Sequence, residues 1–165
     1  MMNYHDGDPV MHWTYGLGRI LHLEERDLFG SKCLYYAVQV GELTVWVPAD
    51  GKLESRLRPP ARAEEFRQLV RALSDPSEPL SEDRNERRNY LLGLLRDGRA
   101  ESLCRLVRDL LAHQRVRPLN DSDQVILKQA RAVLLGEWCF VLSLTQAQAE
   151  YELRRLLDGT TEMKE

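Results

Sequence analysis

Four histidines, three cysteines and one Gly-x-Gly pair are the positions from which metal binding, nucleophilic catalysis or a phosphate cradle would have to be built in this 165-residue chain. Gly16-Leu17-Gly18 has no following Gly-Lys-Ser/Thr, no third glycine at dinucleotide spacing and no helix start, so it reads as a turn between strands. His12 and His22 could meet across adjacent strands, yet no Cys or carboxylate stands beside them at ligand spacing. Strand or surface histidines are the simpler account, and no metal site is expected. Cys33, Cys104 and Cys139 are odd in number and lie in apolar contexts, as reduced thiols of a cytoplasmic protein do. The many Asp and Glu residues fall in charged helical runs, where solvated faces explain them. No nucleophile-elbow signature is present. The sequence thus points away from an enzyme and names no cofactor.

Composition narrows the remaining classes. Charged residues make up 30% and hydrophobic residues 43%, an ordinary balance for a soluble globular protein. No run of about 18 apolar residues exists that could span a membrane, and the first residues lack the basic and apolar regions of a signal peptide. The net charge of −3 argues against a generic nucleic-acid coat, but its distribution is uneven. Residues 1–55 hold four Lys/Arg against eight Asp/Glu, residues 56–132 sixteen against twelve, and residues 133–165 three against six. The middle could therefore face phosphates where the ends could not. On charge alone, solvated helix faces are the simpler account.

The elements that would position these groups change character once along the chain. Pro9–Trp13, Leu17–Glu25, Leu34–Val40 and Leu43–Val47 read as short strands separated by glycine turns. Leu43, Val45 and Val47 alternate with Thr44 and Trp46, so Trp46 points away from the apolar side. Arg58-Pro59-Pro60 breaks the chain and sets a boundary between residues 1–57 and 58–165. Beyond it the period is helical. Phe66, Leu69, Val70 and Leu73 form one stripe, and a second helix from near Ser81 carries Leu91, Leu94 and Leu95 inward to a stop at Gly98. A third helix covers residues 100–113. A fourth, capped by Asn120, runs to about Leu142 and is apolar around enough of its girth to be central. The last is capped by Thr145 and stopped by Gly159. The fold class is α+β: a small β-barrel followed by an all-helical bundle.

Several runs carry a resemblance. Gly7-Asp8-Pro9-Val10, Tyr15-Gly16-Leu17-Gly18-Arg19-Ile20, Leu34-Tyr35-Tyr36-Ala37-Val38 and Leu43-Thr44-Val45-Trp46-Val47-Pro48 resemble, in order and spacing, the N-terminal module of the CarD/CdnL transcription regulators. Transcription-repair coupling factors share that module, but their helicase motifs are missing here. Val107-Arg108-Asp109-Leu110 and the run from Leu127 to Glu137 are similar to the family's helical C-terminal domain. The resemblance covers about residues 6–157. It implies a Tudor/SH3-like barrel that binds the RNA polymerase β subunit. It also implies a helical domain that contacts promoter DNA at the upstream edge of the melted bubble, without base-specific reading, in a bacterial cytoplasmic protein. A monomer is expected.

Particular residues follow from that resemblance. Arg26, in Glu24-Glu25-Arg26-Asp27, occupies the position at which the family contacts the β subunit; read from sequence alone it could equally be a surface arginine paired with the neighbouring carboxylates. Trp46 stands where some relatives have arginine, and is either an interface anchor or a cover for the barrel. Trp13 is expected in core or inter-domain packing. Arg84 replaces the family's wedge tryptophan, fourteen residues before Gly98. Arginine cannot unstack a base step as an aromatic does, but it can enter a narrow minor groove. Arg87 and Arg88 extend the candidate DNA contact, although Glu82, Asp83 and Glu86 interleave with them. The expected function is polymerase binding with modulation of open-complex stability. The alternative is a divergent polymerase-binding relative whose helical domain docks a protein instead of DNA.

Overall fold

In the structure, a computed structural model that describes residues 3–162, the N-terminal strands are β1 (Pro9–His12), β2 (Gly16–Leu28), β3 (Ser31–Val40), β4 (Leu43–Pro48) and β5 (Leu57–Arg58). They form one antiparallel sheet in the order β4-β3-β2-β1-β5. The Gly-x-Gly pair has a steric purpose. A Cβ on Gly18 would lie 2.8 Å from the Gln39 carbonyl oxygen, so only glycine lets β2 and β3 close up there. β2 and β3 join through Phe29 and Gly30, both at positive φ (56° and 79°), which matches a tight two-residue hairpin turn. Val10, Ile20, Tyr36, Val38, Val47, Leu53 and Leu57 build the core inside the sheet. Leu43, placed on that side by alternation, is 56% exposed at the strand's start. The end of β4 is tied to the approach of β5 by Arg56, whose guanidinium donates to the Pro48 carbonyl (3.3 Å) and to Asp50 (2.6 Å). That hydrogen bond, with a second from the Lys52 backbone, holds the Asp50 carboxyl below the usual carboxylate range.

One irregularity decides which side chains face outward. Ile20 pairs with Val38 and His22 with Ala37, so Leu21 is an extra residue bulged out of the ladder. The bulge shifts the alternation by one. His22, Glu24 and Arg26 thereby share the outer face with Ala37 and with Trp46, the partner of Ala37 on β4.

The second unit is helical: α1 (Ala63–Leu69) running into a 3-10 turn at Val70–Ser74, then α2 (Arg84–Asp97), α3 (Ala100–Val116), α4 (Asp121–Leu142) and α5 (Gln146–Glu162). α4 touches α1, α2, α3 and α5, as its broad apolar surface requires. Its buried apolar face is Ile126, Ala130, Val133, Leu134, Leu135 and Trp138, while Phe140 is 38% exposed. The Trp138 ring meets Phe66 of α1 edge-on at 5.6 Å. Asn120 caps α4 in a reciprocal capping box with Asp123, Asp83 caps α2 by accepting from Asn85 and Glu86, and Gly98 ends α2 at φ 68°. Thr145 and Gln148 cap α5 reciprocally. The expected stop at Gly159 does not occur, since α5 runs through it.

The chain divides into two compact units, residues 1–60 and 61–165. The first extends past Leu57 because Leu57 and Arg58 are themselves a strand, paired with β1. Among the described residues no helix is long and apolar enough to cross a membrane.

Candidate functional site

Arg26 and Trp46 are brought together on the outer face of the sheet. The Arg26 guanidinium lies 3.9 Å from the centre of the Trp46 ring, and its Nε is 3.1 Å from Glu24 Oε1. The other carboxylate oxygen of Glu24 accepts from His22 Nε2 at 2.7 Å, and the His22 ring meets Trp46 edge-on at 6.0 Å. The arginine therefore has a carboxylate beside it and a ring beneath it at once. Each contact alone is worth about 0.2–1 kcal/mol at a solvated surface. Together they hold a guanidinium and an indole in fixed register while leaving the arginine side chain 40% exposed. Such a pair can fork onto a carboxylate or carbonyl and bury an aromatic face at low entropic cost. The strand carrying Trp46 is the last in the sheet, so among the described residues one of its edges has no neighbouring strand.

His22 and Glu24 belong to this site; the sequence weighs His22 only against a metal and Glu24 only as a carboxylate beside Arg26, and that Arg26–Glu24 pair is present. Their signal is simple, positions i and i+2 leading to Arg26 at i+4, but the bulge at Leu21 hides which face those positions take. His12 and His22 do not meet: His12 pairs with Gly16 and His22 with Ala37. His12 is instead a buried turn residue whose Nδ1 accepts from the backbone of Thr14 (3.0 Å) and Tyr15 (3.2 Å). Burial pulls its pKa below the ordinary histidine value. Trp13 lies outside the core at 37% exposure and stacks on the His12 ring. Among the described residues no group of three or more His, Cys, Asp or Glu could hold a metal ion.

The three arginines of α2 separate. Arg84 and Arg88 are exposed, one turn apart on one helix face, and neither forms an ion pair among the described residues. Arg87 corrects the expectation that all three face DNA. It is 6% exposed, donates through two nitrogens to Asp123 of α4 (3.1 and 2.9 Å) and through a third to the Ser81 carbonyl (3.0 Å). A guanidinium with its donors spent on a buried carboxylate is a structural clamp, not a phosphate contact. Close by, Glu82 pairs with Arg117 at 3.2 Å.

The helical unit decides the family. A model described as the C-terminal domain of CarD matches residues 68–154, which hold all of α2, α3 and α4. The chain belongs to the CarD family. A Bacillus subtilis (strain 168) protein named "Putative transcription factor YdeB" is 22% identical over 144 residues, spanning 86% of this chain and 94% of that protein. The CarD match covers Arg84, Arg87 and Arg88 together with the buried pairs that fix α2 on α4 and α3 on the 3-10 turn. In the second pair Arg108 donates to Asp109 at 2.9 Å and to the Ala72 carbonyl at 3.0 Å, and Asp109 accepts from the Glu78 backbone at 3.0 Å.

Proposed function

We propose that this CarD-family protein is a transcription regulator whose sheet unit binds the RNA polymerase β subunit through the Arg26–Trp46 platform. Its helical unit would then act on promoter DNA near the upstream edge of the bubble. The observation that carries the reading is the platform itself: a cation and an aromatic ring held at 3.9 Å on an outer face. Prior ordering matters because each rotamer-rich side chain frozen at an interface otherwise costs about 0.5–1.5 kcal/mol. The helical unit needs only weak DNA contacts, since a tether supplies a high local concentration. Exposed Arg84 and Arg88 provide them by charge, without reading bases. Contacts stronger in the open complex than in the closed one would shift melting toward the open form.

The test is affinity for a purified β-subunit fragment. Arg26→Glu and Trp46→Ala, each shown to keep the parental amide spectrum, should weaken binding at least tenfold. Because the two side chains touch, the double variant should lose less than the sum of the two. Folded variants that bind like the parent would remove the docking face. The inward commitment of Arg87 and the Glu82–Arg117 pair leave less free charge at the start of α2, which favours the second reading, a helical unit that docks a protein. DNA affinity indifferent to Arg84 and Arg88 would select it.

A further inference from the structure

The geometry points to a binding pocket in the helical unit for a phosphorylated small molecule, formed by α3, α4, α5 and the 3-10 turn. The cavity holds about 330 Å³, at the small end of ligand pockets. Arg115 reaches it from α3, Arg131 from α4 and Arg154 from α5. Among the described residues none of these three arginines has an ion-pair partner. Arg131 is the informative one, because it is half-buried. A cation withdrawn from water is ordinarily matched by a carboxylate, as Arg87 and Arg108 are in this same unit. An arginine without such a match, joined at a concave surface by two more from different helices, is a set of forked donors for a phosphate group.

The walls say what kind of phosphate. Leu111, Leu153 and Leu157 line the same cavity, so about half of it is apolar and suits a ring or a short aliphatic portion. A solvated DNA backbone has no use for such a wall. Asp75 and Asp158 also line it. They would repel a continuous polyanion, with a phosphate every 3.4 Å or so along each strand, but can accept from the hydroxyl or amino groups of a small ligand. A mononucleotide has this chemistry. Its lining includes none of Arg26, Trp46, Arg84 and Arg88, and it does not depend on the function proposed for them.

The experiment is calorimetric titration of the full chain with pyrophosphate and with adenosine and guanosine mono- and diphosphates, with a short duplex DNA as the other source of phosphate. Saturable binding is expected for at least one small ligand. It should fall at least tenfold in the Arg131→Gln, Arg154→Gln double variant and stay unchanged in an Arg84→Gln, Arg88→Gln control, with all proteins melting at similar temperature. No small-molecule binding at millimolar ligand, or binding that the pocket variants leave intact, overturns the proposal. Loss of duplex binding alone in the pocket variant also overturns it, assigning these arginines to the nucleic-acid backbone.

Discussion

Arg87 and Arg88 are adjacent in sequence and differ in what surrounds them. Arg87 lies with Asp123 at 6% and 3% side-chain exposure, while Arg88 stands in solvent. Arg87→Ala should destabilise the helical unit by about 3–5 kcal/mol, because Asp123 would remain buried without its counter-ion. Arg88→Ala should change stability by no more than about 0.5 kcal/mol. Denaturant midpoints of the two variants check this, and equal midpoints would deny the clamp. The counter-ion of Arg87 lies 36 residues away and is not legible locally, but its inward facing is: Arg87 stands four residues before Leu91 and eight before Leu95, on the buried stripe of α2. His12 offers a second residue-scale test. Its folded pKa is lowered by burial from 6.5, so the unfolded chain binds the proton more readily. The stabilisation from neutral His12 is present above the unfolded value and is lost as pH falls from about 6.5 through the lower folded value. Protonation also removes the Nδ1 acceptor that holds Thr14 and Tyr15. Thermal unfolding from pH 7.5 to 5 should show a loss in the parent that His12→Asn lacks, since the asparagine does not titrate. Parallel pH profiles would exclude His12 as the cause.

At the scale of elements, caps and periodicity were legible and facing was less so. Asn120, Thr145 and Gly98 act as the sequence signals them, because capping is decided within one turn of chain. The bulge at Leu21 is decided by pairing across strands, and with it the grouping of His22, Glu24 and Arg26. Gly159 fails as a stop because α5 continues past it, with Ser74 3.9 Å from where a Cβ would stand and hydrogen-bonded to the Leu156 carbonyl. The start of α2 combines two opposed demands. Arg84 is the first residue of that helix, where the dipole disfavours a cation by a few tenths of a kcal/mol. Arg84→Ser should therefore raise stability slightly while weakening any phosphate contact. On a linear promoter with polymerase present, neutralising Arg84 and Arg88 together should flatten the dependence of log affinity on log salt by roughly 0.9 per lost contact. A slope identical to the parent would show that this helix face leaves DNA untouched.

At the scale of the whole molecule, the chain divides into two compact units. Among the described residues, seven buried side chains from Val10 to Leu57 pack into one cluster in the sheet unit. The helical unit is fastened from its first residue, where the Ala61 backbone donates to the buried Glu137 carboxylate at 2.9 Å. Cutting after Pro60 leaves that hydrogen bond within the helical fragment and gives Ala61 a charged amine beside the carboxylate. Fragments 1–60 and 61–165 should each show dispersed amide spectra, and a collapsed spectrum for either would mean that the units complete one another. The joined chain has a further consequence if the sheet unit docks polymerase. The tether would present the helical unit at an effective concentration near millimolar, far above that of a free fragment in an assay at micromolar protein. The two fragments mixed in trans should then leave open-complex half-life near its factor-free value, while the intact chain at the same concentration changes it. Helical fragment that matches the intact chain under those conditions would mean that its promoter contacts are strong enough alone, and that the sheet unit serves some purpose other than delivery.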